Sequence, residues 1–150
     1  MATIQPTSEN KAVMYTPDSI VMPCAAGTVI NQGSRVKIVS NLIVPTAAAT
    51  DDFVGVADFQ NPVASLGDQL TAGKVLLKDN VVMFDAPASE TFTFGDTCYA
   101  YDNGGNSYPG AVTKSTSGSP KLVGTFVGLT AVTGGSTSRV AVKIVPTVVI

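Results

Sequence analysis

The chain reads FVGVADF at 53–59 and LVGTFVGL at 122–129. An apolar residue, a Val-Gly pair and a second short apolar run therefore occur twice in 150 residues. Each copy reads as a short strand. A glycine inside a strand marks a bulge, a bend or the close approach of a neighbouring backbone. Gly55 and Gly124 are thus expected to shape backbone and to carry no chemistry.

The surroundings of the two copies are also alike. GSRVKIV (33–39) and GDTCYAYD (95–102) are Gly-led strands placed ahead of each Val-Gly strand, and KVLLKD (74–79) and RVAVKI (139–144) follow it. This order predicts two copies of one β-unit. The competing explanation is that β proteins reuse Val and Gly freely.

Strand and turn signals fill the rest of the chain from Cys24 onward. GTVI (27–30) reads as a strand ahead of the Asn31-Gln32-Gly33 turn. In SRVKIVS, Val36 and Ile38 are expected on one face, with Arg35, Lys37 and Val39 on the other. Leu42–Val44 is a further strand, and QLTA (69–72) a weak one. GKVLL and VVMF (81–84), split by Lys78-Asp79-Asn80, suggest a hairpin. TFTF (91–94) alternates Thr with Phe92 and Phe94, and in GDTCYAYD, Thr97, Tyr99 and Tyr101 share a face opposite Cys98 and Ala100. Asn103-Gly104-Gly105 is a turn signal, because these residues tolerate positive φ. In the last strand Val140, Val142 and Ile144 are expected to point inward, with Arg139 and Lys143 opposite. Only TAAATDD (46–52) could form a helical turn. The fold class is all-β: a small β-barrel or β-sandwich of about 8–10 short strands.

Residues 1–23 read differently. Pro6, Pro17 and Pro23 interrupt them, and no period of two or 3.6 is sustained. They form an extended N-terminal arm, either a disordered terminus or a segment that lies on a neighbouring subunit. Residues 24–150 form a single β-barrel-like domain. A chain of this length buries enough surface to fold without staples.

Composition narrows the function. Charged residues make up only 13% of the chain, about half the usual ~25%. A surface so poor in charge suits burial against partners. The nine bases are scattered, so no patch exists for phosphate binding, and nucleic acid is not an expected partner. No apolar run approaches the ~18 residues of a membrane helix, and the N-terminus lacks a signal-peptide pattern. The chain is therefore expected to be made in a cytoplasm, with no membrane partner.

Catalytic and metal chemistry find little purchase. There is no His, which removes Ser-His and Cys-His pairs and the commonest metal ligand. Ser34-Arg35-Val36-Lys37 matches Ser-x-x-Lys, but on a strand positions i and i+3 face opposite ways. Asp51 and Asp52 are adjacent and diverge on a strand. Asp102-Asn103-Gly104-Gly105-Asn106 lacks the spacing and closing Glu of a calcium loop. Ala72-Gly73-Lys74 lacks the frame of a phosphate loop. Trimeric β-fold nucleotide hydrolases carry Arg-Ser-Ser and Gly-x-Ile-Asp…Tyr segments that are absent here. Cys24 and Cys98 read as buried small hydrophobes rather than a disulfide. No catalytic residue, metal or cofactor is expected, and the chain is not expected to be an enzyme.

From Ala25 to Val145 the chain resembles the capsid decoration, or cement, proteins of tailed bacteriophages. The resemblance lies in an ordered pattern: AAGTVINQGSRVKIV, FVGVADF, GDQLTAGKV (67–75), GDTCYAYD, LVGTFVGL and RVAVKIVP. In that family a G-D-x-V-Y-x-D strand precedes an apolar-Val-Gly strand and a terminal V-x-V-x-I strand.

The resemblance implies a structural virion protein on the outer surface of the head, usually a homotrimer. It implies a major capsid protein as partner, clamped where capsomers meet so that the expanded shell is stabilised. The arm residues Ile4, Val13, Met14, Tyr15, Ile20 and Val21 are candidates to add a strand to a capsid edge. Val148, Val149 and Ile150 form an apolar terminus, which either packs on a neighbour or folds onto its own barrel. Tyr99, Tyr101 and Tyr108 are candidate interface anchors or ordinary half-buried strand residues. The alternatives are a tail or fibre module of a phage, and a cellular surface-layer or carbohydrate-binding module. The missing signal peptide and the absence of Trp argue against the latter.

Overall fold

The computed structural model describes residues 18–61, 70–102, 108–135 and 138–148. Among them are twelve strands and no helix, so the protein is all-β. The first sheet holds β1 (Ser19–Pro23), β2 (Arg35–Val39), β3 (Leu42–Pro45), β4 (Gly55–Ala57) and β5 (Ala72–Leu76). The second holds β6 (Val81–Phe84), β8 (Thr97–Ala100), β9 (Val112–Thr113), β10 (Leu122–Phe126) and β12 (Val140–Ile144). A small ribbon pairs β7 (Thr91–Phe92) with β11 (Val132–Thr133).

The two sheets have the same topology. Their strand orders are β1-β5-β4-β2-β3 and β6-β12-β10-β8-β9, so β1, β2, β3, β4 and β5 correspond to β6, β8, β9, β10 and β12. The registers agree residue by residue. Arg35 faces Val56 and Val36 faces Gly55; Thr97 faces Thr125 and Cys98 faces Gly124. Val56 faces Leu76 as Thr125 faces Lys143. The hydrogen bonds repeat as well. Gly33 N donates to Ala57 O and Gly95 N to Phe126 O, both at 2.9 Å. Ala57 N donates to Ser34 O at 2.9 Å and Phe126 N to Asp96 O at 2.8 Å. Gly33 and Gly95 both take positive φ, 88° and 93°, a conformation that favours glycine. The echo of the Val-Gly strands is a duplicated β-unit.

Each sheet curls until its outer strands meet at one parallel bridge, Cys24–Ile43 in the first and Asp85–Ala111 in the second. Each encloses its own core. Met22, Ile30, Val36, Ile43 and Val75 lead the first. Phe84, Phe92, Phe126, Val140, Val142 and Ile144 lead the second, where the Phe92 and Phe126 rings lie 6.0 Å apart. The units join because the outer face of β4 and β5 is apolar: Phe53, Val56 and Leu76 pack into the second core. The corresponding positions of the second unit are Leu122, Thr125 and Lys143, all exposed.

Several local readings differ from the sequence expectation. GKVLL and VVMF do not form a hairpin, because β1 and β4 already occupy both edges of β5. The turn at Asp79, with φ of 73°, carries the chain into the other sheet. Ile38 and Val39 are both exposed, at 47% and 48%. β4 covers β2 only at Arg35 and Val36, so the rest of β2 projects with β3 as a two-stranded ribbon. Its two-residue turn, Ser40-Asn41, has positive φ at both positions, the geometry suited to strand twist. Phe94 does not follow Phe92 inward. Asp96 Oδ2 accepts from Thr93 N at 2.8 Å, which closes a turn and leaves Phe94 68% exposed. GTVI is strand-paired only at Ile30, through an isolated bridge to Asn61. TAAATDD is not helical: Asp51 Oδ2 gathers the amides of Ala47 and Ala48 and the Lys37 ammonium. Residues 69 and 103–105 lie outside the described residues.

Candidate interaction surface

The first sheet begins inside the expected arm. Ser19–Pro23 is the strand β1, paired along its whole length with β5. Ile20 and Val21, placed opposite Val75 and Lys74, are 40% and 68% exposed. Ile4, Val13, Met14 and Tyr15 lie outside the described residues, as do Val149 and Ile150.

The first described residue and the end of β12 meet on one turn. Asp18 O accepts from Leu77 N at 2.9 Å and from Asn80 Nδ2 at 2.6 Å. Asp79 N donates to Ile144 O at 3.1 Å, and Ile144 N to Asn80 O at 2.9 Å. The C-terminal segment then runs along the strand entry at Phe53. There Phe53 N donates to Thr147 Oγ1 at 2.9 Å and Val148 N to Phe53 O at 3.1 Å. Val148 itself is 40% exposed.

The three tyrosines divide. Tyr99 is a half-buried residue of β8, between Thr113 and Leu122. Tyr101 and Tyr108 come together, with ring centroids 6.1 Å apart. Tyr108 donates its hydroxyl to Asp85 Oδ2 at 3.1 Å, and Arg139 Nε lies 3.4 Å from Asp85 Oδ1. Burial, then the Asp85 carboxylate, pushes the Tyr108 phenol up.

Beneath this cluster lies a residue that sequence reading passed over as one of nine scattered bases. Arg35 is only 1% exposed. Its Nε donates to Pro109 O at 3.1 Å and its Nη2 to Tyr108 O at 3.4 Å, while Nη1 has no hydrogen-bond partner. Burial pulls its pKa down to about 10, against the opposing pull of Asp51 and Asp102. The alternation of SRVKIVS put Arg35 on the face opposite Val36. The sequence could not show that the second unit covers that face.

The thiols are set for packing. Cys24 and Cys98 are free and buried. Burial raises both pKa values, that of Cys98 to about 12, so neither presents a thiolate near neutrality. Lys37, the partner in the Ser-x-x-Lys spacing, is committed to Asp51 at 2.8 Å. Among the described residues no group of three or more His, Cys, Asp and Glu could hold a metal ion. None of the described residues forms a helix long and apolar enough to cross a membrane.

The surface also carries exposed apolar side chains. Leu129 is 96% exposed, Phe94 68%, Val81 55% and Met83 53%. Fold and surface together define an all-β protein of two equivalent barrel-like sheets. Compared with known proteins, the chain matches no family model, no curated protein and no solved structure.

Proposed function

We propose that the chain is a structural virion protein that decorates the outer surface of a phage head. It binds as a homotrimeric cement, clamps adjacent major capsid subunits and stabilises the expanded shell. The observation that carries this reading is that Asp18, the first described residue, and Ile144, the end of β12, are held on one turn, Leu77–Asn80. Two closed β-units give a rigid body. A segment that continues from such a body can reach a neighbouring subunit. The ordered strand pattern from Ala25 to Val145 and the low charge content support the same reading. Binding the expanded shell alone stabilises that state by mass action, and many modest contacts add up over a lattice.

The test is to mix purified protein with expanded heads that lack it, sediment the heads and image them. Full-length protein is expected to co-sediment and to appear as three-fold knobs. A chain starting at residue 18 is expected to keep its fold and lose binding. No co-sedimentation of the full chain, or assembly into stacked rings or fibres, would overturn the reading.

A further inference from the structure

The duplication fixes which surfaces of the two units correspond, and the chain shows what one pair of them meets. A groove of about 510 Å³ lies between the units, lined by Gln32, Asp58 and Gln60 of the first and by Val81, Met83 and Arg139 of the second. The first side is a polar network. Gln32 N donates to Gln60 Oε1 and Gln32 Nε2 to Asp58 Oδ1, both at 3.0 Å.

The equivalents of both sides are apolar or small. In the second unit Phe94 holds the place of Gln32, one residue ahead of the positive-φ glycine. Val127 holds the place of Asp58, because Val127 N donates to Ala141 O as Asp58 N donates to Lys74 O. The loop that carries Leu129 follows, as Gln60 follows Asp58. In the first unit the registers put Ser19, Val21 and Ala72 in the places of Val81, Met83 and Arg139. Phe94 and Val21 are each 68% exposed and Leu129 is 96% exposed; Ala72 is exposed as well. The change is thus coordinated: two amides and a carboxylate give way to Phe, Leu and Val on one side, and the arginine opposite gives way to alanine. Within the chain the Leu77–Asn80 turn and the packing of Phe53, Val56 and Leu76 already join the units, so the groove can stay polar. Two separate copies lack that link and need apolar area of their own.

We infer that Phe94, Val127 and Leu129 of one copy pack on Val21 and Ala72 of a second, so that the order of units within a chain is repeated between chains. Thr125 and Lys143 stand where Val56 and Leu76 stand in the first unit. The contact therefore rests on this end of the second unit and not on the outer face of its sheet. The two patches differ, so the contact is head to tail, and such a contact can close into a ring. In a ring of three copies, first and second units alternate. The inference rests on the homotrimer of the proposed function and names its surface.

Disulfide trapping in the isolated full-length protein tests the pairing and its direction. Val21→Cys and Leu129→Cys are placed in separate chains; the native thiols are buried. Co-expressed and oxidised, the two chains are expected to form a disulfide-linked pair, and neither is expected to do so alone. In sedimentation the wild type is expected at three chain masses. The double variant Phe94→Asp, Leu129→Asp and the single variant Val21→Asp are each expected at one, with wild-type melting, because the side chains replaced are exposed. A trimer that both variants retain, with no mixed disulfide, overturns this contact and leaves the trimer to another surface. A disulfide formed by Leu129→Cys alone overturns the head-to-tail direction. A monomeric wild type overturns the contact, while co-sedimentation with heads decides the shell reading separately.

Discussion

Arg35 Nε lies 3.1 Å from the carbonyl oxygen of Pro109, so a guanidinium only 1% exposed ties the first β-unit to the second. Both carbonyls that it meets have backbone donors as well. Pro109 O also accepts from Arg35 N at 3.0 Å, and Tyr108 O from Ala111 N at 3.3 Å. Removing the guanidinium therefore orphans neither oxygen, while the unpartnered Nη1 is a buried polar group that costs stability. Arg35→Ala, which also empties the volume, is expected to lose on the order of 3 kcal/mol. Arg35→Met fills the volume without charge and is expected to lose less than half of that. Urea denaturation of the three proteins checks the order. A methionine variant as unstable as the alanine variant would show that the charge, not the volume, holds the junction.

Gly55 and Gly124 are the paired glycines of the duplicated strands, and neighbouring backbone crowds both. A Cβ on Gly55 would run into the Leu76 carbonyl oxygen, and one on Gly124 into the Lys143 carbonyl oxygen. A backbone atom cannot rotate aside as a side chain can, so the strands themselves must separate. Gly55→Ala and Gly124→Ala are each expected to cost about 2–3 kcal/mol. At Gly118 a Cβ would meet nothing, though φ is 78°, and Gly118→Ala is expected to cost nearer ~1 kcal/mol. Thermal melts rank the three. If the strand variants melt with or above the turn variant, the close approach is not what holds those positions as glycine.

Much of this fold was legible in the sequence because duplication writes the same signals twice. Gly33 and Gly95, then Gly55 and Gly124, fall at matching points, and they keep matching registers in the sheets. The inward set Val140, Val142 and Ile144 was equally plain and is fully buried. Misreadings arose where a neighbour decides the outcome. Period-two alternation puts Ile38 on the face of Val36 but cannot tell that β4 stops covering β2 after Val36, which leaves Ile38 exposed. Local turn signals cannot tell that both edges of β5 are filled, and so a hairpin was read between β5 and β6. For the surface, tyrosine content pointed to Tyr99, Tyr101 and Tyr108; the rings of the last two lie 6.1 Å apart, and Tyr99 is a residue of β8. Nothing local marked Arg35, because its burial depends on the 108–110 segment, more than 70 positions away.

Acid sensitivity follows from the carboxylates. Asp51 is partly desolvated, which raises its pKa. The Lys37 ammonium and the Ala47 and Ala48 amides outweigh this and hold it below the ordinary value. Asp52, through Lys121 and Thr147, and Asp96, chiefly through the Thr93 amide, are lowered as well. A carboxyl with a folded pKa below its unfolded one adds stability above the unfolded value, near ~3.9. That contribution is lost as pH falls through the folded pKa. Stability is thus expected to be flat from pH 7 to about 5 and to fall below about pH 4. Asp51→Asn should lose about 0.5–1 kcal/mol at pH 7, allowing for solvent screening, and its loss between pH 5 and 3 should be shallower. Chemical denaturation across that range measures both. A variant whose acid limb parallels wild type would remove Asp51 from the account.

The duplication makes its own test at Val56 and Thr125. The two residues hold the same place, each one position past the strand glycine and each opposite a residue of the next strand, Leu76 or Lys143. Val56 is fully buried in the second unit's core, while Thr125 is exposed. If the units differ there only because one of them is covered, the same charge should act differently at each site. Val56→Asp is expected to cost more than about 3 kcal/mol, because a carboxylate would enter an apolar junction without a partner. Thr125→Asp is expected to stay within about 0.5 kcal/mol of wild type. Denaturation midpoints give the comparison, and proteolysis adds a second readout. In Val56→Asp the Leu77–Asn80 link between the units should be cut sooner than in wild type. Equal tolerance at the two positions would mean that the packing of Val56 against the second core does not hold the two units together.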